Sequence, residues 1–582
     1  MLNRLVPAQM RWVVLAAALA IVSSAGLSLA QISPGLPPFP PLPPRLLDKL
    51  PVPLPPPILP PVPPVQKKLE PAPPVRVFVH DIHVVGNTIF TDEQLSEVTK
   101  RYKGRELMAE DMEALRLDLT LFYVNRGYLT SGAIIPDQAI TFNVLKIQIV
   151  EGTLSQIDVE GNEHLWSGYV RDRIERGVTR PVNVTPLQER LQFLQRDPHI
   201  EQLNAELKPG IALGENVLNV RVKEALVFHA RLEFNNYQSP TVGAEQGLAT
   251  IEDTNFTGLG DSVTVQYGRS KGVDPILNFR YAIPLNRYDT TFSAQYRKFT
   301  FTVEDPQFKA LDIRNSAEII GLSLRQPLYR TLQDEFAVTL TGEYEKNEST
   351  LLDQPFEFVA GATNGLFKVA ALRFAQEYTH QTPEQVFSAF SRFSFGIGAL
   401  GATHRSSVPQ SATGQFFSWL GEGQYVRQLQ PLRAQLVART TLQLSNEHLF
   451  PLEQISVGGR YSVRGYREYT FVRDNAFLAS VELRVPVYTT ANGLDRVLLA
   501  PFLDVGRAWN TRAATGSAVA TPLTSTEGER NTLASAGIGL IVNFTESSRF
   551  EVYWGQQLNH LRAGRGNLQD HGVHLQLVVH AF

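Results

Sequence analysis

The sequence predicts an outer-membrane β-barrel of about 16 antiparallel strands preceded by two α+β modules. Three observations lead there. The N-terminus has the three-part pattern of a secretory signal. Residues 77–225 carry one strand–helix–helix–strand–strand pattern twice. From residue 226 to the end, apolar and polar residues alternate with period two.

In the signal, Arg4 and Arg11 supply the positive region and residues 12–22 the apolar region. Ser28-Leu29-Ala30 forms a small-residue cleavage site before Gln31, so residues 1–30 are assigned as a signal peptide. A short membrane anchor is the alternative. No other run reaches the roughly 18 apolar residues that a membrane-crossing helix needs. Hydrophobic residues make up 43% of the 582 and charged residues 19%, which suits a folded protein. A net charge of -3 supplies no basic field for nucleic acid. The chain has no cysteine, so an exported protein of this length needs a source of stability other than disulfides. A closed barrel is one, since every backbone group is paired around the ring.

Residues 31–75 form a proline-rich linker that holds half of the 38 prolines. Runs such as Pro55-Pro56-Pro57 favour polyproline II, an extended spacer without internal hydrogen bonds. A ligand for a proline-binding domain is the sharper alternative.

The first module is placed at 76–152. A strand over 77–85 turns at Gly86-Asn87, and Thr91 with Gln94 makes a capping box. A second helix over 109–126 puts Met112, Leu115, Leu119, Phe122 and Tyr123 on one face and ends at Gly127, followed by Tyr128. The second module, 153–225, repeats the opening pattern at 156–162, where Gly161-Asn162 matches Gly86-Asn87. Thr185, Pro186 and Gln188 predict the cap of its second helix, with Leu187, Leu191 and Leu194 buried.

Residues 226–582 are the barrel. Phe228, Ala230, Leu232 and Phe234 alternate with His229, Arg231, Glu233 and Asn235. Phe336, Val338, Leu340 and Tyr344 alternate with Ala337, Thr339, Glu343 and Glu345. One apolar and one polar face suit a wall with lipid outside and a wet lumen. A soluble β-sandwich is the alternative for any single segment. The piece least like a strand is a long loop near 445–474 carrying Gly458-Gly459-Arg460-Tyr461-Ser462-Val463-Arg464-Gly465-Tyr466. A connection of that length is functional or disordered, and its ordered composition favours function. Parity places Ala500, Phe502, Asp504 and Gly506 on the inward face, with Leu499, Leu503 and Val505 toward lipid. A loop folded into the lumen brings Arg464 to Asp504 as a bidentate pair, acting as a positional latch. Two unconnected lumen charges are the bland alternative.

These residues resemble the two-partner secretion transporters, the TpsB family within the superfamily of barrel insertases. The resemblance rests on Val463-Arg464-Gly465-Tyr466, on Phe502-x-Asp504-x-Gly506, and on Gly86-Asn87-Thr88 with Phe90. Tyr123-x-x-Arg126-Gly127-Tyr128-x-Thr130, Gly258-x-Gly260-Asp261, Asp474-Asn475 and Glu482-x-Arg484 extend it over most of 75–582. It implies two POTRA domains in the periplasm, a loop arginine held by the strand aspartate, and export without nucleotide hydrolysis. The implied cargo is a large unfolded exoprotein with an N-terminal secretion domain, which folds at the cell surface. The other implied partners are outer-membrane lipid, periplasmic chaperones and the barrel-assembly machinery. Phe582 matches the terminal aromatic of an assembly signal, although Val573, Leu575, Leu577 and Val579 lie on the opposite parity. Family members carry a plug helix ahead of the linker. Here only 45–50 could form a turn between prolines, so plugging is expected to be absent or done differently.

No nucleophile elbow, phosphate-binding loop or zinc motif is present, so neither an enzyme nor a cofactor is expected. His571, His574 and His580 are too dispersed for a metal site and read as lumen histidines. An insertase of other barrels is the runner-up, and a passive porin and a barrel-anchored adhesin follow. Two modules instead of a longer string argue against the insertase, by analogy.

Overall fold

The computed structural model describes residues 76–581 except 407–410, 431–432, 492, 512–530, 560 and 562–565. The signal peptide, the proline-rich linker, the 45–50 turn and Phe582 therefore lie outside the described residues. Two compact units result: residues 76–227 with Thr254–Gly260, and Phe228–Asp253 with the chain from Asp261 onward.

The first unit holds two modules, each with its own apolar core. In the first, strands Asp81–Val85, Val144–Val150 and Gly132–Ile134 form a sheet in that order, covered by helices Asp92–Thr99 and Ala109–Val124. In the second, Thr153–Glu160, Glu215–Glu224 and Ile200–Pro209 do the same under Ser167–Glu175 and Val184–Gln195. Each sheet has one parallel and one antiparallel pairing. The strand expected over 77–85 is two, broken at His80, whose N–H donates to Asn143 O at 2.7 Å. Val77–Val79 pairs instead with Arg105–Leu107.

The repeat extends to atomic detail. Gly86 (φ +81°) follows Asp81–Val85 and Gly161 (φ +82°) follows Thr153–Glu160. A Cβ on Gly86 would lie 2.4 Å from Ile149 O, and one on Gly161 would lie 2.4 Å from Val222 O. Only glycine lets the turn approach the sheet so closely in this left-handed conformation. Asn87 then donates to Phe90 O, and Asn162 to Leu165 O. Glu151 accepts from Thr88 N–H, while Glu224 accepts from the N–H groups of Glu163, His164 and Leu165.

Thr91 and Gln94 form the expected capping box. The second module departs from expectation: its helix starts at Val184 and Asn183 is the cap, accepting from Thr185 N–H at 2.9 Å. Asn183 also donates to Arg126 O at 3.0 Å, beside Gly127 (φ +91°), so the cap residue ties the two modules together. Thr185 lacks that contact. Tyr128 packs edge-on against Phe90 and Tyr123 in the first core.

The second unit is a closed antiparallel barrel of sixteen wall strands, from Phe228–Asn235 to Val573–His580. Asn235 closes the ring, pairing with Gln246 on one side and Gln576 on the other. Turns such as 331–333 and 382–384 are short at one end, and the longest connections, such as 352–365 and 446–474, lie at the other. That asymmetry is usual for bacterial outer-membrane barrels. The outward rows are apolar, with Leu232, Phe234, Leu340, Val481 and Leu503 exposed, while Glu343, Glu345, Glu482 and Arg484 are buried inside. No described helix is long and apolar enough to cross a membrane; the strands supply the crossing.

Candidate functional site: the lumen loop and its wall contacts

The longest described connection, 446–474, joins the eleventh strand, Ala434–Ser445, to the twelfth, Asn475–Thr489. It contains a small hairpin, Ile455–Val457 with Phe471–Arg473. Its neck is tied by Asp474 and Asn475. The Asp474 carboxylate accepts from Leu449 N–H, Gln454 and Thr511 N–H and pairs with His448 at 2.8 Å. Asn475 Oδ1 accepts from Ser445 N–H.

At the tip, Val463, Arg464 and Tyr466 are buried, with Arg464 at 2% exposure. Asp504 belongs to the thirteenth strand, Asp495–Trp509, where parity points it inward: it is 4% exposed against 62% for Leu503. Arg464 donates to Asp504 Oδ2 from both its backbone N–H (2.9 Å) and Nε (2.8 Å), and to Oδ1 from Nη2 (2.8 Å). Nη1 pairs with Glu482, and Nη2 also donates to Ser480 Oγ at 3.1 Å. The guanidinium lies 3.6 Å over the Phe502 ring. A buried charge is tolerated only when its donors are satisfied and its charge is matched, and Arg464 meets both conditions.

Three glycines make room for this docking. A Cβ on Gly465 (φ +90°) would lie 2.6 Å from Gly555 O, and one on Gly555 would lie 2.8 Å from Gly465 Cα. A Cβ on Gly506 would sit 2.7 Å from both Val457 and Val463. Tyr466 Oη lies 2.9 Å from Ala534 O and 2.8 Å from Asn559 O, which share its one proton, and Gly465 O accepts from Gln557. Gly465 N–H donates to Nε2 of the fully buried His574 at 3.3 Å. The tip is thus fastened to strands twelve to sixteen.

The structure brings Val463, Arg464, Gly465, Tyr466, Phe502, Asp504 and Gly506 together. Gly86, Asn87, Gly127, Tyr128 and Gly161 lie in the modules. Sequence reasoning missed Glu482 and Ser480 as partners of Arg464. Their even parity on the twelfth strand was the available signal, as it places both inward beside Arg484. It also missed Arg460, which donates to Glu551 at 2.8 Å and lies 4.0 Å from the Tyr553 ring centroid. His574 faces the lumen, whereas His571, expected there too, sits in a short 3-10 turn ahead of the last strand. Among the described residues, one carboxylate group has spacing suited to a cation, Glu343, Glu345 and Glu453; Arg373 lies among its oxygens.

A sixteen-stranded wall with an apolar outside, a charged inside, a docked lumen loop and α+β modules ahead of it defines an outer-membrane transporter of the POTRA-bearing class. The family described as "Haemolysin secretion/activation protein ShlB/FhaC/HecB" matches residues 214–540, and "POTRA domain, ShlB-type" matches 77–152. The chain belongs to that family of two-partner secretion transporters, whose work is export of partner exoproteins and not catalysis. It is 21% identical over 402 residues to the outer membrane transporter CdiB of Dickeya dadantii (strain 3937), covering 67% of this chain and 69% of that one. It is 25% identical over 247 residues to the heme/hemopexin transporter protein HuxB of Haemophilus influenzae (strain 86-028NP), covering 42% and 43%. The solved structure of CdiB from Escherichia coli has the same fold, with a TM-score of 0.60, 21% identity and coverage of 90% and 93%.

Proposed function

We propose that the two modules bind an unfolded exoprotein carrying an N-terminal secretion domain, and that the barrel passes it outward beside a loop latched by Arg464 and Asp504. The observation that carries this reading is the latch itself. A passive porin has no use for a loop arginine fully satisfied by three wall side chains and fitted by three glycines. In the second module Thr153–Glu160 is the terminal strand of its sheet and lies beside helix Ser167–Glu175. An extended cargo segment can add a strand at such an edge, where backbone pairing is nearly indifferent to sequence. Folding of the cargo outside the cell makes movement directional without a nucleotide. Periplasmic chaperones deliver the cargo unfolded, and the barrel-assembly machinery inserts the transporter.

Quantitative proteomics of culture medium and outer membrane, with and without this protein, tests the reading. Loss of one or two very large proteins from the medium, with other barrels unchanged, is the expected result. A general fall in outer-membrane barrels would make the chain an insertase.

A further inference from the structure

The loop is held at a second place, far from Arg464. Glu453, on its descending limb, meets Arg373 of the eighth strand, Leu366–Gln381, as a fork-to-fork pair. Nη2 donates to Oε1 at 2.6 Å and Nη1 to Oε2 at 3.0 Å. Both side chains are nine-tenths or more buried, and Gln443 donates to Glu453 O at 3.0 Å. Beside this pair, Phe450 stacks on Phe367 with centroids 4.3 Å apart and planes 3° from parallel. Leu449 and Leu452 join Val369 and Ala371 in the same apolar cluster. The eighth and thirteenth strands are five steps apart around the ring, so the loop runs from one part of the wall to another.

The two attachments differ in what their release would leave behind. If Arg464 departed, Asp504 would keep only the Ser480 hydroxyl among the side-chain partners described above. An uncompensated buried carboxylate is strongly unfavourable. If Glu453 departed, Arg373 would keep Glu343 (2.6 Å), Glu345 (3.3 Å) and Ser394 (3.0 Å). The guanidinium stays matched, and Glu453 moves into a lumen that can hydrate it. The tip also carries the backbone-to-backbone glycine contact, which the limb lacks.

Resting on the transport reading above, we propose that Glu453 and Arg373 are positioning residues forming a releasable second tether. The limb 449–454 detaches from the eighth strand to widen the lumen while the loop pivots on the fixed Arg464 anchor. The native chain has no cysteine, so an engineered pair is unambiguous.

The test is ion conductance of the full chain in planar lipid bilayers, which needs no cargo and so stands or falls separately from the export reading. Two variants are compared, Glu453→Ala and the double variant Phe367→Cys/Phe450→Cys, each first shown to form a heat-modifiable barrel. Loss of a charge-assisted pair should raise the open fraction of Glu453→Ala on the order of tenfold. Oxidised Phe367→Cys/Phe450→Cys should conduct less than the unaltered protein, and a reductant should restore it. In cells, that oxidised variant should also stop export. Conductance of both variants equal to the unaltered protein would overturn the proposal, as would full export by the oxidised pair.

Discussion

Gly465 of the loop and Gly555 of the fifteenth strand meet main chain to main chain, with space for a methyl group on neither. Gly465→Ala adds a collision with Gly555 O and a left-handed backbone that costs alanine about 1 kcal/mol. Gly555→Ala adds the collision alone. Both should lower the unfolding temperature of the barrel and loosen the tip, with the larger loss for Gly465→Ala. Thermal unfolding in detergent, with limited proteolysis at the loop, reads the effect. Unchanged proteolysis of both variants would mean that the close approach does not hold the tip.

The Arg464 guanidinium contacts Asp504 through two nitrogens, Glu482 through the third, and the Phe502 face through its plane. Lysine offers one charged nitrogen and no plane. Arg464→Lys should therefore behave more like Arg464→Ala than like the unaltered protein. Breaking one side of a buried pair costs about 3–5 kcal/mol. In a double-mutant cycle, Arg464→Ala with Asp504→Ala should cost clearly less than the two single losses added together. Additive losses would deny the coupling.

Both ring nitrogens of His199 face acceptors: Nδ1 lies 2.5 Å from Asp197 Oδ1 and Nε2 lies 2.7 Å from Thr254 O. Burial opposes charge on both groups. Their mutual pairing outweighs it, raising the His199 pKa and lowering that of Asp197. The sign follows from linkage. The His199 contribution is complete below the usual histidine range and is lost as pH rises through its raised pKa. The Asp197 contribution is lost as pH falls through its lowered pKa. Hydrogen exchange of Thr254–Gly260, corrected for intrinsic rate, should show protection falling as pH rises above the histidine range. His199→Ala should remove that pH dependence, and a variant that kept it would assign it elsewhere.

The paired glycines predict paired damage. Gly86→Ala and Gly161→Ala each drive a methyl into a sheet carbonyl at 2.4 Å, Ile149 O and Val222 O respectively. Each should destabilise its own module by about 2–3 kcal/mol, from a strained left-handed residue and displaced packing together. Denaturant unfolding followed module by module through hydrogen exchange should show the loss confined to the substituted one.

Much of this was legible because the signals are local. Period two assigns the inward face of a strand from its own residues, which is why Asp504, Phe502 and Gly506 were placed correctly beside Leu503. The Gly86-Asn87 and Gly161-Asn162 turns announce themselves through residue types that tolerate left-handed backbone. Contacts across the ring have no such signal. Glu453 sits in a loop without periodicity, and its partner Arg373 lies 80 residues earlier. The Asn183 cap was missed because its value lies partly in Arg126 O of the other module, while Thr185-Pro186 offered an equally good local pattern. The break at His80 likewise depends on Asn143, far along the chain.

Export by Arg464→Ala and Asp504→Ala, measured at equal levels of heat-modifiable barrel in the outer membrane, tests the central claim most directly. Secretion of the partner exoprotein should fall severely and to a similar extent in both, with the barrel still assembled. Normal export by both variants would contradict the account, leaving the buried pair a structural ornament of the lumen.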